Sequence, residues 1–350
     1  MPNLRRYLTR IHLTRISREK CRNRLRMIKT EHLLQTLQTE FEQRAYGQHP
    51  SELYEPIRYI MALSGKRFRP LLTLLSASIY SDDWQKAIKP AMAVEVFHNF
   101  TLMHDDIMDK APLRRGKQTV HEKWNANTAI LSGDVMLIKA YDLLLDIQKD
   151  SLRTVIARFN QTAAEVCEGQ QLDMNFETRW NVTEEEYLEM IRLKTSVLLG
   201  FALELGGIIS GADQESTQLL YAAGENMGIG FQLKDDLLDV YGDPEKFGKQ
   251  VGGDIISNKK TFLLIEALTQ AQGEVKLELE KWISSTNFNP EKKVKAVREI
   301  YEKLNIRTFT EHKINDYFEI GINSLEKLQV DDERKKPLLQ FVRQLVEREK

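Results

Sequence analysis

The chain has 350 residues, 42% of them hydrophobic and 29% charged, with a net charge of −1. That balance suits a protein with a sizeable core, and no apolar run approaches the roughly 18 residues that a transmembrane helix needs, so no stable membrane insertion is expected. Two cysteines, Cys21 and Cys167, make neither a disulfide framework nor a zinc site, and they fit a reducing, cytoplasmic setting.

Residues 1–26 carry nine Lys/Arg, from Arg5 to Arg26, against one acid, Glu19. Three readings fit such a start: translation from upstream of a natural Met27, a targeting segment, or an arm for an anionic partner. Residues 1–28 are therefore expected outside the fold, and 29–350 as one domain. The body beyond them is acidic, which argues against a nucleic-acid partner.

From Lys29 onward apolar residues recur at three- and four-residue intervals, beginning with Leu33, Leu34, Leu37 and Phe41. Helix starts are signalled at Ser51-Glu52, at Thr183-Glu184-Glu185-Glu186 and at Asn289-Pro290-Glu291. With only 18 Gly and 9 Pro, a turn-rich sandwich or barrel is excluded. The pattern predicts an all-α domain of about a dozen helices.

The chemistry is concentrated in six stretches. Gly65–Pro70 reads GKRFRP and groups Lys66, Arg67 and Arg69 between two helical segments. The run HDDIMD holds Asp105, Asp106 and Asp109 at the end of an apolar stretch that contains His98, Phe100 and Thr101. Arg114, Arg115 and Gly116 follow, and Lys194-Thr195 interrupts an apolar helix. The run FQLKDDLLD then brings Gln232 with Asp235, Asp236 and Asp239. Last, Gly242–Lys260 breaks the helical pattern with glycines and with Lys246, Lys249, Lys259 and Lys260, and it reads as a lid that carries cations.

Residues four apart share a helix face, so Asp105 lies over Asp109 and Asp235 over Asp239. Like charges so placed repel, the more so where water is scarce. Hard divalent cations relieve that repulsion, because Mg2+ takes oxygen ligands and keeps positions for substrate phosphates. The two clusters thus point to metal-assisted diphosphate chemistry. His104, just before the acids, is read as a packing residue rather than a base.

The order GKxxRP, DDxxD(x)4RRG, KT, FQxxDD, GKxxGxD resembles the trans-isoprenyl diphosphate synthases, the head-to-tail prenyltransferases that make farnesyl and geranylgeranyl diphosphate. The resemblance covers about residues 30–350. It implies an isoprenoid-synthase-type helical barrel around a deep central cavity, and a homodimer. It also implies condensation of isopentenyl diphosphate with an allylic diphosphate (dimethylallyl, geranyl or farnesyl) to a short all-trans product. Three Mg2+ ions, with Mn2+ able to substitute, would be held by Asp105, Asp109 and Asp235 directly, with Asp106, Asp236 and Asp239 assisting. Arg114, Lys194, Lys249 and Lys259 would bind the allylic diphosphate. Thr195 and Gln232 would face the carbocation, and Gly65, Lys66, Arg69, His98 and Arg115 would hold isopentenyl diphosphate. In the family a bulky residue five places before the first aspartate stops chain growth. Phe100, with the small Thr101 after it, implies a fifteen- or twenty-carbon product. A longer-chain synthase, a non-catalytic synthase subunit and a terpene cyclase are the alternatives, and the last two are disfavoured by two intact aspartate clusters beside GKxxRP and RRG.

Overall fold

A computed structural model describes residues 29–63, 65–242 and 252–347. Among these, sixteen α-helices are joined by short connections, and the one sheet is a two-stranded hairpin of two residues per strand. Helix α1 spans Thr30–Gln43, α2 Ser51–Ala62, α3 Phe68–Tyr80 and α4 Ile88–Met108. The hairpin, Leu113–Arg114 with Lys117–Gln118, leads into α5 (Val120–Lys123) and α6 (Ala126–Leu144). Next come α7 (Lys149–Glu177), α8 (Glu184–Ile191), α9 (Val197–Ile209) and α10 (Gln214–Tyr241). The chain closes with α11 (Gly253–Ser257), α12 (Phe262–Gln270), α13 (Gly273–Ser284), α14 (Pro290–Lys303), α15 (Ile306–Glu326) and α16 (Asp332–Glu347).

The all-α expectation holds, and the three signalled helix starts fall where the sequence puts them. Thr183 makes a reciprocal capping box with Glu186, and Asn289 caps α14 with Pro290 at its first turn. The helix number exceeds the expected dozen because several, such as α5 and α11, are too short to show a 3.6-residue period.

Helix α9 explains the layout. Every residue from Val197 to Gly207 is buried, so it is apolar on all sides and must be surrounded. Leu199 and Leu203 face one cluster, built with α3, α8, α10 and α12 to α16, whereas Val197, Phe201 and Leu205 face a second cluster with α2, α4, α6 and α7. Its one acid, Glu204, is neutralised by Arg158 Nε at 2.9 Å. Glycines let neighbouring backbones come close: a Cβ on Gly206 would lie 2.2 Å from the Thr73 carbonyl of α3.

That contact is backbone against side chain and cannot be relieved by a rotamer change. Gly206→Ala should therefore cost about 1–3 kcal/mol of stability. Urea denaturation measures it, and an unchanged midpoint would mean that α3 and α9 are free to separate.

Candidate active site

The first aspartate cluster closes α4, with Asp109 as its C-cap, and the second lies in the last two turns of α10. In each, the middle acid turns into the protein. Buried Asp106 accepts from Arg114 Nε at 2.7 Å, and buried Asp236 accepts from the Tyr187 hydroxyl and from Gln232 Nε2 at 3.1 Å. Burial, followed by the Asp254 charge, pushes Asp236 up to about 7, and burial raises Asp106 despite Arg114.

The outer acids are left toward the opening. Asp105 stands between two cations, with Arg114 Nη2 3.4 Å from Oδ2 and Lys194 Nζ 3.3 Å from Oδ1. Lys194 also donates to Asp173 Oδ2 at 2.6 Å. Asp239 accepts from the Asp254 amide at 3.0 Å, which ties the end of α10 to the start of α11.

Lys194 and Thr195 owe their position to a break in the helix. Residues Arg192–Ser196 form a π turn between α8 and α9, the kind of bulge that re-aims side chains at functional sites. Two glycines grip it: a Cβ on Gly169 of α7 would lie 2.2 Å from the Lys194 amide nitrogen, and one on Gly228 of α10 would lie 2.6 Å from Ser196 Cα. Thr195 donates to Gln232 Oε1 at 3.3 Å, so Thr195, Gln232 and Asp236 form one hydrogen-bonded chain.

Arg114, Arg115 and Gly116 form the hairpin, which period-two alternation could not reveal in strands of two residues. Arg115 and Gly116 both have positive φ, as the central pair of a type I′ turn requires. The turn lays the Arg115 guanidinium across Gly65, where a Cβ would meet it at 2.7 Å. Arg115 Nη1 also donates to the Leu63 carbonyl at 3.3 Å.

Beside this lies a cavity of about 700 Å³ lined by Gly65, Lys66, Arg69, His98, Arg114 and Arg115 together with Thr195, Gln232 and Asp235. Arg69 Nη1 donates to His98 Nε2 at 3.2 Å. Burial and the surrounding arginines hold His98 well below the usual imidazole range, so it is neutral, with its proton on Nδ1. Burial brings Arg69 down to about 10, and its Nε is enclosed without an acceptor. Arg67 is different: it bonds Glu95 Oε1 and the Met61 carbonyl, each at 2.5 Å, and covers the Phe41 ring, so it fastens α2 to α4.

A second opening, about 600 Å³, is lined by Asp109, Asp173, Arg179, Trp180 and Lys259. The enclosing protein pulls the Lys259 ammonium down, but Asp173, Asp254, Asp236 and Asp109 outweigh that and hold it above the ordinary lysine range. Lys246 and Lys249 lie outside the described residues.

Phe100 and Thr101 line neither opening. Phe100 packs between the rings of Phe97, at 5.6 Å, and His104, at 4.8 Å, and Thr101 donates to the His98 carbonyl. His104 contacts the Ile130 carbonyl at 3.1 Å and leaves room for no Cβ on Gly133, which makes it the packing residue that the sequence suggests. Asp173, Tyr187 and Glu95 were missed. Asp173 and Glu95 are single acids in long helices and Tyr187 a single hydroxyl in the eight-residue α8, and only the facing of Asp173 in EGQQLD, one turn after Gln170, offers a signal.

The donors suit a hard cation. Asp105 Oδ1 is enclosed, with the Lys194 ion pair at 3.3 Å and no formed hydrogen bond, and the outer groups are all carboxylate oxygen. Among the described residues no three such groups converge into a complete cage. Mg2+ held by these groups would keep positions for substrate phosphates.

An all-α fold with two acid clusters beside a cationic chamber suits an enzyme that works on diphosphates. The chain belongs to the polyprenyl synthetase family, whose model matches residues 50–303. It is 38% identical over 302 residues to a geranylgeranyl diphosphate synthase of Methanosarcina mazei, covering 86% of this chain and 91% of that one. It is 39% identical over 241 residues to a geranylfarnesyl diphosphate synthase of Natronomonas pharaonis, covering 64% of this chain and 71% of that one. A solved geranylgeranyl pyrophosphate synthase superposes with TM-score 0.88 at 46% identity, covering 92% of this chain and 99% of that one.

Asp105→Asn or Asp235→Asn should each weaken Mg2+-dependent binding of inorganic pyrophosphate by about tenfold or more. Isothermal titration calorimetry reads this, and wild-type affinity in both variants would remove the aspartates from the metal site.

Proposed function

We propose that the protein condenses isopentenyl diphosphate with an allylic diphosphate, head to tail, to geranylgeranyl diphosphate. The observation that carries this is the shared cavity: the cation set of Lys66, Arg69 and Arg115 borders Arg114, Thr195, Gln232 and Asp235, so two diphosphates fit side by side. Lys66, Arg69, His98 and Arg115 hold isopentenyl diphosphate, with the bare Arg69 Nε as a donor for it. Arg114, Lys194 and Lys259, joined by Lys249, hold the allylic diphosphate. Asp105, Asp109 and Asp235 would hold three Mg2+ ions, with Asp106, Asp236 and Asp239 fixing the clusters. When bound, the ions add positive charge against the leaving diphosphate.

The allylic C–O bond ionises while Arg114, Lys194 and Lys259 stabilise the departing pyrophosphate. The double bond of isopentenyl diphosphate attacks the cation, and the pyrophosphate accepts the proton that is lost. Thr195 and Gln232 turn oxygen dipoles toward the cation. No side chain has to act as the base.

Relatives of similar identity bear geranylgeranyl and geranylfarnesyl names, so overall likeness does not choose the product. Phe100 supports the shorter one, because His104, held at α6, stops its ring from swinging away.

Helix α6 supports a homodimer. Leu131, Ile138 and Leu145, spaced by sevens, are 58%, 58% and 60% exposed, a stripe that a second copy would cover. The reading also places one catalytic domain at 29–350 in the cytoplasm, with residues 1–28 outside it. Among the described residues no helix is long and apolar enough to cross a membrane.

The purified protein with Mg2+, isopentenyl diphosphate and dimethylallyl, geranyl or farnesyl diphosphate in turn should form geranylgeranyl diphosphate. No prenyl product from any primer would reject the reading. Phe100→Ala should lengthen the product by at least one isoprene unit, seen by chromatography of the dephosphorylated alcohols; an unchanged length would acquit Phe100. Ile138→Glu should give a monomer by light scattering, and a persistent dimer would move the interface off α6.

A further inference from the structure

Lys293 occupies a core position of α14, on one face with Val297 and Ile300, and none of its side chain is exposed. Its ammonium donates to the Ile256 carbonyl at 3.2 Å and to Asn258 Oδ1 at 2.6 Å, and it covers the Phe288 ring at 4.2 Å. None of these partners is a carboxylate. Burial accordingly holds the ammonium below the ordinary lysine range. A buried cation with neutral partners is a poor way to stabilise a core, and an apolar side chain of similar volume does as well or better.

What the ammonium touches gives it another purpose. Asn258 ends α11 in the left-handed conformation, at φ 55°, and its Nδ2 donates to the Ile283 carbonyl at the end of α13 at 2.9 Å. Lys293 thus joins α11, α13 and α14 at the residue just before Lys259. On the far side the Thr261 amide donates to the Lys259 carbonyl at 2.8 Å, and the Lys259 amide donates to the Asp254 carbonyl at 3.0 Å. The backbone that carries Lys259 is held on both sides.

We infer that Lys293 is a positioning residue for the reaction, fixing Asn258 so that Lys259 projects among Asp109, Asp173 and Asp254 at the allylic diphosphate. The inference rests on the functional reading above. Lys293 is more than 30 positions from Lys259 and touches no substrate, so it acts only through that lysine. Losing the tie lets the αL turn relax, and a displacement of about 1 Å at Lys259 is enough to slow the chemistry strongly.

The test is a double-mutant cycle on the full-length protein with Lys293→Met, Lys259→Ala and both together. Lys293→Met should keep the thermal midpoint near wild type. It should lower kcat/KM for the allylic substrate by about tenfold or more and leave KM for isopentenyl diphosphate within about twofold. In the Lys259→Ala background it should cost less than about twofold. Additive losses, equal losses for both substrates or wild-type kinetics would each overturn the inference. If Lys293→Met does not fold, Asn258→Ala carries the same cycle, since it removes one acceptor and leaves the ammonium on the Ile256 carbonyl; collapse of both variants would assign the tie to folding alone. Calorimetric titration with Mg2+ and inorganic pyrophosphate needs no prenyl substrate and should show the same non-additivity. A wild type that binds pyrophosphate but makes no product therefore counts against the functional reading, not against Lys293.

Discussion

Six carboxylates packed near the ends of two helices set the terms for this molecule. Left alone they repel along each helix, and burial makes the repulsion worse. The middle acid of each cluster is removed from the problem. Asp106 is neutralised by Arg114, and Asp236 is held by Tyr187 and Gln232 and pushed toward its protonated form by burial. The outer acids are left toward the opening, where a cation and a diphosphate could meet them. A free-standing cage of carboxylates would bind metal without substrate; on the proposed reading, substrate phosphates would complete the coordination.

The helices carry the acids, and breaks between helices carry the cations. Lys194 stands on a π turn, Arg114 and Arg115 on a type I′ hairpin, Arg69 just inside a helix that follows left-handed Arg67, and Lys259 after left-handed Asn258. A regular helix spreads its side chains around an axis, so cations from several helices could not all aim at one small anion. Each break turns a side chain out of register, and each is held: Gly169 and Gly228 grip the π turn, Gly65 receives Arg115, Glu95 fixes Arg67 and Lys293 fixes Asn258.

The sequence made the helices and the acid clusters legible because both follow from spacing alone. Three- and four-residue periods mark buried faces, and DDxxD places charges where one helix face must collect them. The order of motifs then indicated which cations belonged with which acids. What spacing could not show was the direction of a side chain. Nothing in GKRFRP distinguishes Arg67, which is tied to Glu95, from Arg69, which faces the cavity. Nothing in DDLLD says that Asp236 is the acid turned inward. Asp173 stayed hidden because its partner Lys194 is 21 residues away and reaches it only across the π turn.

The two proposed diphosphate sites differ in the sign of their surroundings, and that difference would separate the two substrates. Around the proposed isopentenyl site stand the cations Lys66, Arg69 and Arg115 with a neutral His98; of the two acids lining the same cavity, Glu95 already answers Arg67 and Asp235 belongs to the second acid cluster. Such a chamber would accept a bare diphosphate. Among the described residues of the proposed allylic site, Asp105, Asp109, Asp173, Asp235 and Asp254 outnumber Arg114, Lys194 and Lys259, so a bare diphosphate would meet net repulsion there. Added cations reverse that sign. On the proposed reading, metal and allylic diphosphate would enter as a unit, while isopentenyl diphosphate would bind without them. Ionisation would then be confined to the substrate held among Arg114, Lys194 and Lys259, and the partner's diphosphate would stay intact through the condensation.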